Sequence, residues 1–528
     1  MKMGRLNLLF TMCLLGATTD TVLGKENPAF GEARQSAHIA GYSLSKVQRW
    51  LHEVALPRID PETKLYISHP KGSARYRNAL WNYDDAAADT YPFLFWAAWY
   101  TDHDKINGPV LEVLEAEQRI CNHLDRIPTA VNHKTLKKVV KSKDTTIFAA
   151  SEYVKDGLIA IVEVAGKDNP WFERMRGIMD DIWKHADIDT PYGKIPTRNL
   201  EANGEQIQAL ARLYAMTGEG KYLEWAERLA DYYLLSGDFM PTKLRDHGSE
   251  IIGGLGLLLG VLSEHNPAKA QVYLPHIRKM LDGILKRGTN EDGMMFNHFG
   301  GGALSDSWGY NYVTYLCCDM VVGKPIYREH LQQTLRNLSK PKYKNYRWEG
   351  TSIDGYADSV EGAIYILNRL PVQEGLAWVD REVAANIVYA NDQDKLWTTY
   401  KLDSNGVRTV IMHALMHTRG LIARPWLQGL ELGAAKTNDG LAVVIKSDKA
   451  YNGKLIFDIP RHRISMGFQH DWPRMNTMPE WYTVEPDQEY VVKDLTDGSK
   501  KSYTGKQLHE GLPVRVQPGE ERLLLIQR

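Results

Sequence analysis

The chain has 528 residues, 43% hydrophobic and 24% charged, which is ordinary globular composition and enough length for two or more domains. With 64 basic and 65 acidic residues the formal charge is -1, so nothing in the charge balance points to nucleic acid or an anionic membrane surface. Four cysteines are too few for a disulfide framework, and the adjacent Cys317 and Cys318 lack the CxxC spacing of zinc or redox work. Together with Cys121 they read as core thiols.

In chain order, Lys2 and Arg5 precede an apolar run from Leu6 to Leu15 and small residues before Lys25. That is the outline of a secretory signal peptide over 1–24, so the mature protein is expected to be exported, periplasmic or secreted. Cys13 lies inside the apolar run rather than after it, which argues against lipoprotein processing. No stretch approaches the roughly 20 apolar residues a spanning helix needs. Residues 43–54, SLSKVQRWLHEV, predict a helix that packs on the outside of whatever follows.

The middle repeats an architecture rather than a sequence. About six polar openings, near Trp81, Ser151, Arg198, Arg245, Asp306 and Thr351, each run on into a helix rich in small apolar residues that ends near Gly or Pro. A charged amphipathic helix follows, as in NPWFERMRGIMDDIWKHA and KYLEWAERLADYYLL. The stretch 289–315 concentrates functional side chains: Asn297 and His298, then Gly300, Gly301 and Gly302, then Asp306, Trp308, Tyr310, Asn311 and Tyr312. Aromatic platforms beside carboxylate, amide and imidazole suit sugar binding, although the same aromatics could simply begin a core helix.

Inner helices alternating with amphipathic outer ones resemble the (α/α)6 toroid of six-hairpin glycosidases and of several polysaccharide lyases, over roughly 81–389. A helical solenoid would repeat at a similar period but line a concave face with polar residues. Functional residues clustered at inner-helix openings favour the toroid, in which all the openings face one end. The fold class expected is mainly α, a toroid over 25–423 with a smaller antiparallel β-sandwich over 424–528, where GLAVVIKSD, GKLIFDIP and GLPVRVQPGEERLLLIQR alternate polar and apolar residues between turns. The aromatic, basic stretch from Arg461, RHRISMGFQHDWPRMNTMPEWY, either reaches the pocket or packs against the toroid, and packing is preferred.

A ring of helix N-termini tolerates bound anions such as a uronate carboxylate. Asp84, Asp85, Asp89, Glu152, Glu205, Asp246, Glu250, Asp306, Asp354, Asp358 and Glu361 also sit in the openings, and most of them read as helix caps. A hydrolase needs two carboxylates, drawn from Asp85, Glu250, Asp306, Asp358 and Glu361. Elimination beside a uronate needs a base, an acid and carboxylate neutralisation, which His247, His298, Tyr310, Tyr312, Arg245 and Asn297 could supply.

GYADSVEGA and the run KLIFDIPRH...DWPRMN...PEWYTV look more like exo-acting uronidases of the toroid class, a resemblance that implies a glucuronidase-like hydrolase acting on a uronic-acid-containing glycan. The catalytic candidates are therefore Asp85, His247, Glu250, Asp306 and Tyr310. Arg245, Asn297, His298, Trp308, Asn311, Tyr312 and Asp358 are expected to bind substrate. A lyase or oligosaccharide dehydratase and a non-catalytic glycan binder are the alternatives. HExxH, EF-hand, Walker, dinucleotide and GxSxG patterns are absent, so neither a metal nor a cofactor is expected.

Overall fold

Polar residues start both inner and outer helices because their side chains satisfy otherwise unpaired N–H groups: Ser142, Asn169, Asn199 and Asn266 each accept from a backbone N–H of the following first turn. Gly218 and Gly323 end two inner helices in the left-handed conformation. The computed structural model describes residues 27–68, 80–344, 346–351, 353–384 and 404–528, without the side chains of Asp84, Asp85, Asp246, His247, Thr351 and Ser404. The expected signal segment lies outside the described residues. Among those described, no helix is long and apolar enough to cross a membrane.

Among the described residues, six hairpins follow α1 (Ala29–Trp50), each an inner helix and then an outer one. They are α2 (Tyr91–Thr101) with α3 (Leu111–Cys121), and α4 (Lys143–Glu152) running through a wide helical turn, Tyr153–Ile159, into α5 (Ala160–Ala165) with α6 (Pro170–Lys184). Next come α7 (Leu200–Thr217) with α8 (Gly220–Leu234), and α9 (Glu250–His265) with α10 (Pro267–Gly288). The last two are α11 (Trp308–Val322) with α12 (Arg328–Asn337), and α13 (Ile353–Arg369) with α14 (Gln373–Glu382). The fold is the expected toroid of helical hairpins followed by a smaller β region. One further inner helix, α15 (Ser404–Thr418), packs between α13 and α2 and closes the ring, with α1 outside it. This last pair is assembled from the two ends of the helical region, so α1 is a wall of the toroid and not an appendage.

The ring closes tightly because glycine lets backbones touch. A Cβ on Gly204 of α7 would come within 2.3 Å of the Ile251 nitrogen on α9, and one on Gly309 of α11 within 2.3 Å of the Gly362 carbonyl carbon on α13. Outer helices bury one face only; α6 buries Trp171, Phe172, Met175, Ile178, Met179 and Ile182. Cys121, Cys317 and Cys318 are buried and free, as core thiols should be.

Short strands β1 (Leu80–Trp81), β2 (Asn122–Leu124), β3 (Ile127–Pro128), β4 (Ala130–Asn132) and β5 (Lys138–Val139) trim the first hairpin. The β region begins with β6 (Ile422–Arg424) and continues through β7 (Leu430–Lys436), β8 (Gly440–Ser447), β9 (Tyr451–Ile456), β10 (Glu489–Asp494), β11 (Lys500–Thr504), β12 (Leu512–Val516) and β13 (Glu521–Gln527). An antiparallel sheet of order β11-β10-β13-β8-β7 and a second of order β12-β9-β6 bury Leu432, Val443, Ile445, Leu455, Val514 and Ile526 in a common core. The other side of the larger sheet carries α1, where Ala33 and Ala37 meet Ala435, Ala442 and Val444.

The connection between β9 and β10 enters the ring from the C-terminal ends of the inner helices. Trp472, Met475 and Met478 join the toroid core, and Asp471 pairs with Arg369 at the end of α13 at 2.6 Å. At its centre Glu163 of α5, fully buried, holds Arg212 of α7 and Arg474 of the connection, each at 2.8 Å. Burial alone would raise the Glu163 pKa, but the two guanidiniums outweigh it and hold it down to about 2. The preference for packing holds over most of this stretch; its tip, Asn476, does reach the pocket.

Candidate functional site

With one end of the ring plugged, the other is left as a cleft of about 750 Å³, including space open to solvent. Its walls come from the openings of inner segments: Asp89 and Phe93, Glu152, Lys155 and Asp156, Ser249 and Glu250, Ser307 and Tyr310, Asp354 and Asp358, Asn405 and Arg408. Asn476 completes it from the plug. All the openings meet there because every inner helix runs the same way, so the first turn of each ends on one rim.

Two charged clusters share this cleft. In the first, the Lys155 ammonium lies 2.6 Å from Asp156 and 2.7 Å from Glu250. Gln208 donates to Glu250 Oε2 at 2.7 Å, and Asn476 donates to Asp156 Oδ1 at 3.1 Å. Burial works against a charged Lys155, yet Asp156 and Glu250 outweigh it and hold its pKa well up. Burial pushes Glu250 up against the pull of Lys155. Behind them Glu205 is 1% exposed and neither of its oxygens has a hydrogen-bond partner. Burial, reinforced by Glu152 and Asp156, pushes its pKa well up.

In the second cluster the Tyr310 hydroxyl donates to Asp358 Oδ1 at 2.9 Å, and Arg408 Nη2 donates to the same oxygen at 2.7 Å. Arg408 also pairs with Glu361, which accepts from the Tyr365 hydroxyl, and it lies 5.4 Å from the Phe93 ring centroid. Burial, with Asp354 adding to it and Arg408 opposing, pushes Asp358 well above the usual carboxylate range. Both donors sit on Oδ1. Tyr310 is pushed up by burial and by the neighbouring Asp358 and Glu361.

Of the residues expected to catalyse or bind substrate, Glu250, Tyr310 and Asp358 line this cleft, together with Asp89, Glu152 and Asp354 from the acidic openings. The others are placed differently. Asp306 is buried beside the cleft and accepts from the Ser307 N–H and hydroxyl. Trp308, Asn311 and Tyr312, expected to bind substrate, are fully buried structural groups: Trp308 donates to Ser359, Asn311 to the Leu244 carbonyl and Tyr312 to the Gly293 carbonyl. The helical period explains the correction, since only Tyr310 of that first turn faces the axis while its neighbours turn into the wall.

Asn297 and His298 sit on a hairpin outside the lining, where the Asn297 backbone pairs with Ala303 and Leu244 and His298 is exposed. Gly300, Gly301 and Gly302 all adopt positive φ there, so the glycines shape that hairpin rather than the cleft. Arg245 is half-buried and also outside the lining. Of Arg245, His247, Glu250, His298 and Tyr310, expected to converge on one pocket, Glu250 and Tyr310 line the cleft, and Arg245 and His298 are outside its lining. Side chains of Asp85 and His247 lie outside what is described.

Sequence reasoning passed over Lys155, Asp156, Asn405, Arg408 and Asn476. The first two stand in the opening near Ser151, SEYVKDG. Asn405 and Arg408 belong to α15, whose SNGVRTVIMHALMHT repeats the polar-then-small pattern of the other openings. Nothing local marks Asn476.

No protein-family model matches the chain, and no curated protein matches it. Among solved structures it is similar to an inactive variant of the alpha-1,6-mannanase GH76A of Salegentibacter sp. HEL1_6 in complex with alpha-1,6-mannotetrose. That pair has 13% identity and a TM-score of 0.36, covering 58% of this chain and 88% of the other. It is also similar to the GH127 beta-arabinofuranosidase, at 12% identity and TM-score 0.37 over 94% and 78%, and to cellobiose 2-epimerase from Bacillus thermoamylovorans B4167, at 11% and 0.37 over 70% and 97%. Likenesses this distant assign no chemistry to the cleft.

Proposed function

We propose that the protein is an exported glycan-active enzyme, a glycoside hydrolase whose cleft binds the end of a sugar chain. One observation carries the reading: a carboxyl of raised pKa, Asp358, shares a plugged cleft with a carboxylate held by an ammonium, Asp156. A hydrolase needs this division between a protonated acid and an ionised partner. Asp358 protonates the leaving oxygen. Asp156, its side chain 21% exposed, acts as base or nucleophile, paired with Lys155 and oriented by Asn476. Glu250 has both oxygens engaged, by Lys155 and Gln208, and is a positioning residue. A blind cleft closed by the plug suits exo action.

Elimination has less support. Of the imidazoles that could serve as its base, His298 is exposed outside the cleft lining. A lining of six carboxylates, Asp89, Glu152, Asp156, Glu250, Asp354 and Asp358, against Lys155 and Arg408 favours the hydroxyls of a neutral terminal sugar. A uronate terminus, as in the glucuronidase-like reading, is the second choice, carried by those two cations facing the cleft.

The test is incubation of the full chain with neutral and uronate-terminated oligosaccharides, following new reducing ends and the absorbance of a C4–C5 double bond. Hydrolysis gives reducing ends alone; elimination adds absorbance, and a binder gives neither. Asp358→Asn is expected to cost at least about 100-fold in kcat/KM and Tyr310→Phe much less. Activity should fall as pH rises through the raised pKa of Asp358, because the acid is then lost. Full activity of Asp358→Asn on a cleaved substrate refutes the assignment.

A further inference from the structure

A second cluster lies away from the cleft, between the outer wall and the ring. His413 and His417 are one helical turn apart on the same face of α15, and Asp380 reaches them from α14. Asp380 Oδ1 stands 2.8 Å from His413 Nε2 and 3.0 Å from His417 Nε2, and the two Nε2 atoms are 3.2 Å apart. We propose that Asp380, His413 and His417 form a site for a divalent transition-metal ion of the zinc type, which the sequence patterns surveyed above do not include.

The spacing carries the argument. Ligand atoms at zinc bond lengths of about 2.0–2.1 Å occupy tetrahedron corners roughly 3.3 Å apart, so the three observed separations are within about half an ångström of one face. A pair of imidazoles with one carboxylate selects zinc-like ions over calcium or magnesium, which take oxygen ligands. Ser36 Oγ of α1 lies 3.1 Å from His417 Nδ1, the kind of outer hydrogen bond that fixes a ligating imidazole. The Asp380 side chain is 37% exposed, so water can fill the fourth position and the ion can enter from solvent. Bound there, the ion ties α14 to α15 and, through Ser36, to α1. It thereby fixes the helix that carries Arg408, about 7.5 Å along the axis from His413, into the cleft.

His462, Asp471 and Glu480 form another close group. Asp471 there is already held by Arg369 and Arg474, whose charges oppose a cation.

The test uses the full chain without a histidine tag, stripped by a chelator and dialysed against Zn(II) alone. The expected result is one equivalent bound per chain, weakened at least about 10-fold by Asp380→Asn and by His417→Ala. X-ray absorption of the zinc-loaded wild-type chain should give two imidazole nitrogens and oxygen at about 2.0–2.2 Å, a readout that does not depend on either variant folding. Absence of stoichiometric zinc, sulfur in the first shell, fewer than two imidazoles, or unchanged binding in both variants would overturn the proposal.

Discussion

Replacing Glu163 by Gln removes the one negative charge between the buried guanidiniums of Arg212 and Arg474, and with it the anchor of the plug. A carboxyl held at about 2 instead of 4.5 contributes roughly 3 kcal/mol at neutral pH, and breaking a buried ion pair from one side costs about 3–5 kcal/mol. The two figures agree, so Glu163→Gln should lose about 3–5 kcal/mol. Burial pulls the Arg212 pKa down while Glu163 holds that of Arg474 up, but both guanidiniums stay protonated at any workable pH; without Glu163, Arg212 keeps only carbonyl acceptors, while Arg474 retains Asp471.

The sign with pH follows from a depressed folded pKa. The stabilisation is fully present above the unfolded value near 4.5 and is lost as pH falls towards about 2. Urea unfolding of the toroid at neutral pH measures the gap between wild type and variant. A thermal-midpoint series taken down through pH 4 should then show the gap closing, because protonated Glu163 resembles glutamine. A loss below about 1 kcal/mol at neutral pH, or a gap that widens on acidification, would refute the reasoning.

Two more outcomes follow from the same geometry. Gly309→Ala should destabilise by about 1–3 kcal/mol or more in a urea titration, since its methyl meets the Gly362 backbone and no side chain can move aside. Arg408→Lys keeps the charge but loses the fork that reaches Asp358 and Glu361 together. Its kcat/KM should fall by at least about 10-fold, with the alkaline limb of the pH profile moved upward as Asp358 loses the guanidinium hydrogen bond that favours its charged form; an unmoved limb would show that Arg408 does not set the acid's pKa.

Periodicity was enough to read the hairpins. Small residues on one helix of each pair and one-sided charge on the other leave little choice but an inner and an outer layer, and alternation after α15 marks strands. Six polar openings on one rim also follow, because a repeated hairpin sends every inner helix the same way. That logic brought Glu250, Tyr310 and Asp358 to the cleft.

What sequence could not decide is rotation and closure. Trp308, Asn311 and Tyr312 differ from Tyr310 by one or two residues, or about 100° each around a helix, and only neighbouring helices determine which of them faces the axis. Arg408 stands some 250 residues from Lys155, and Asn476 farther still. Their places were set when α15 closed the ring against α2 and when buried Glu163 drew the plug inward. Asp380, His413 and His417 were brought within reach of one ion in the same way, by packing α14 against α15. These contacts join segments distant in the chain, and no local pattern encodes them.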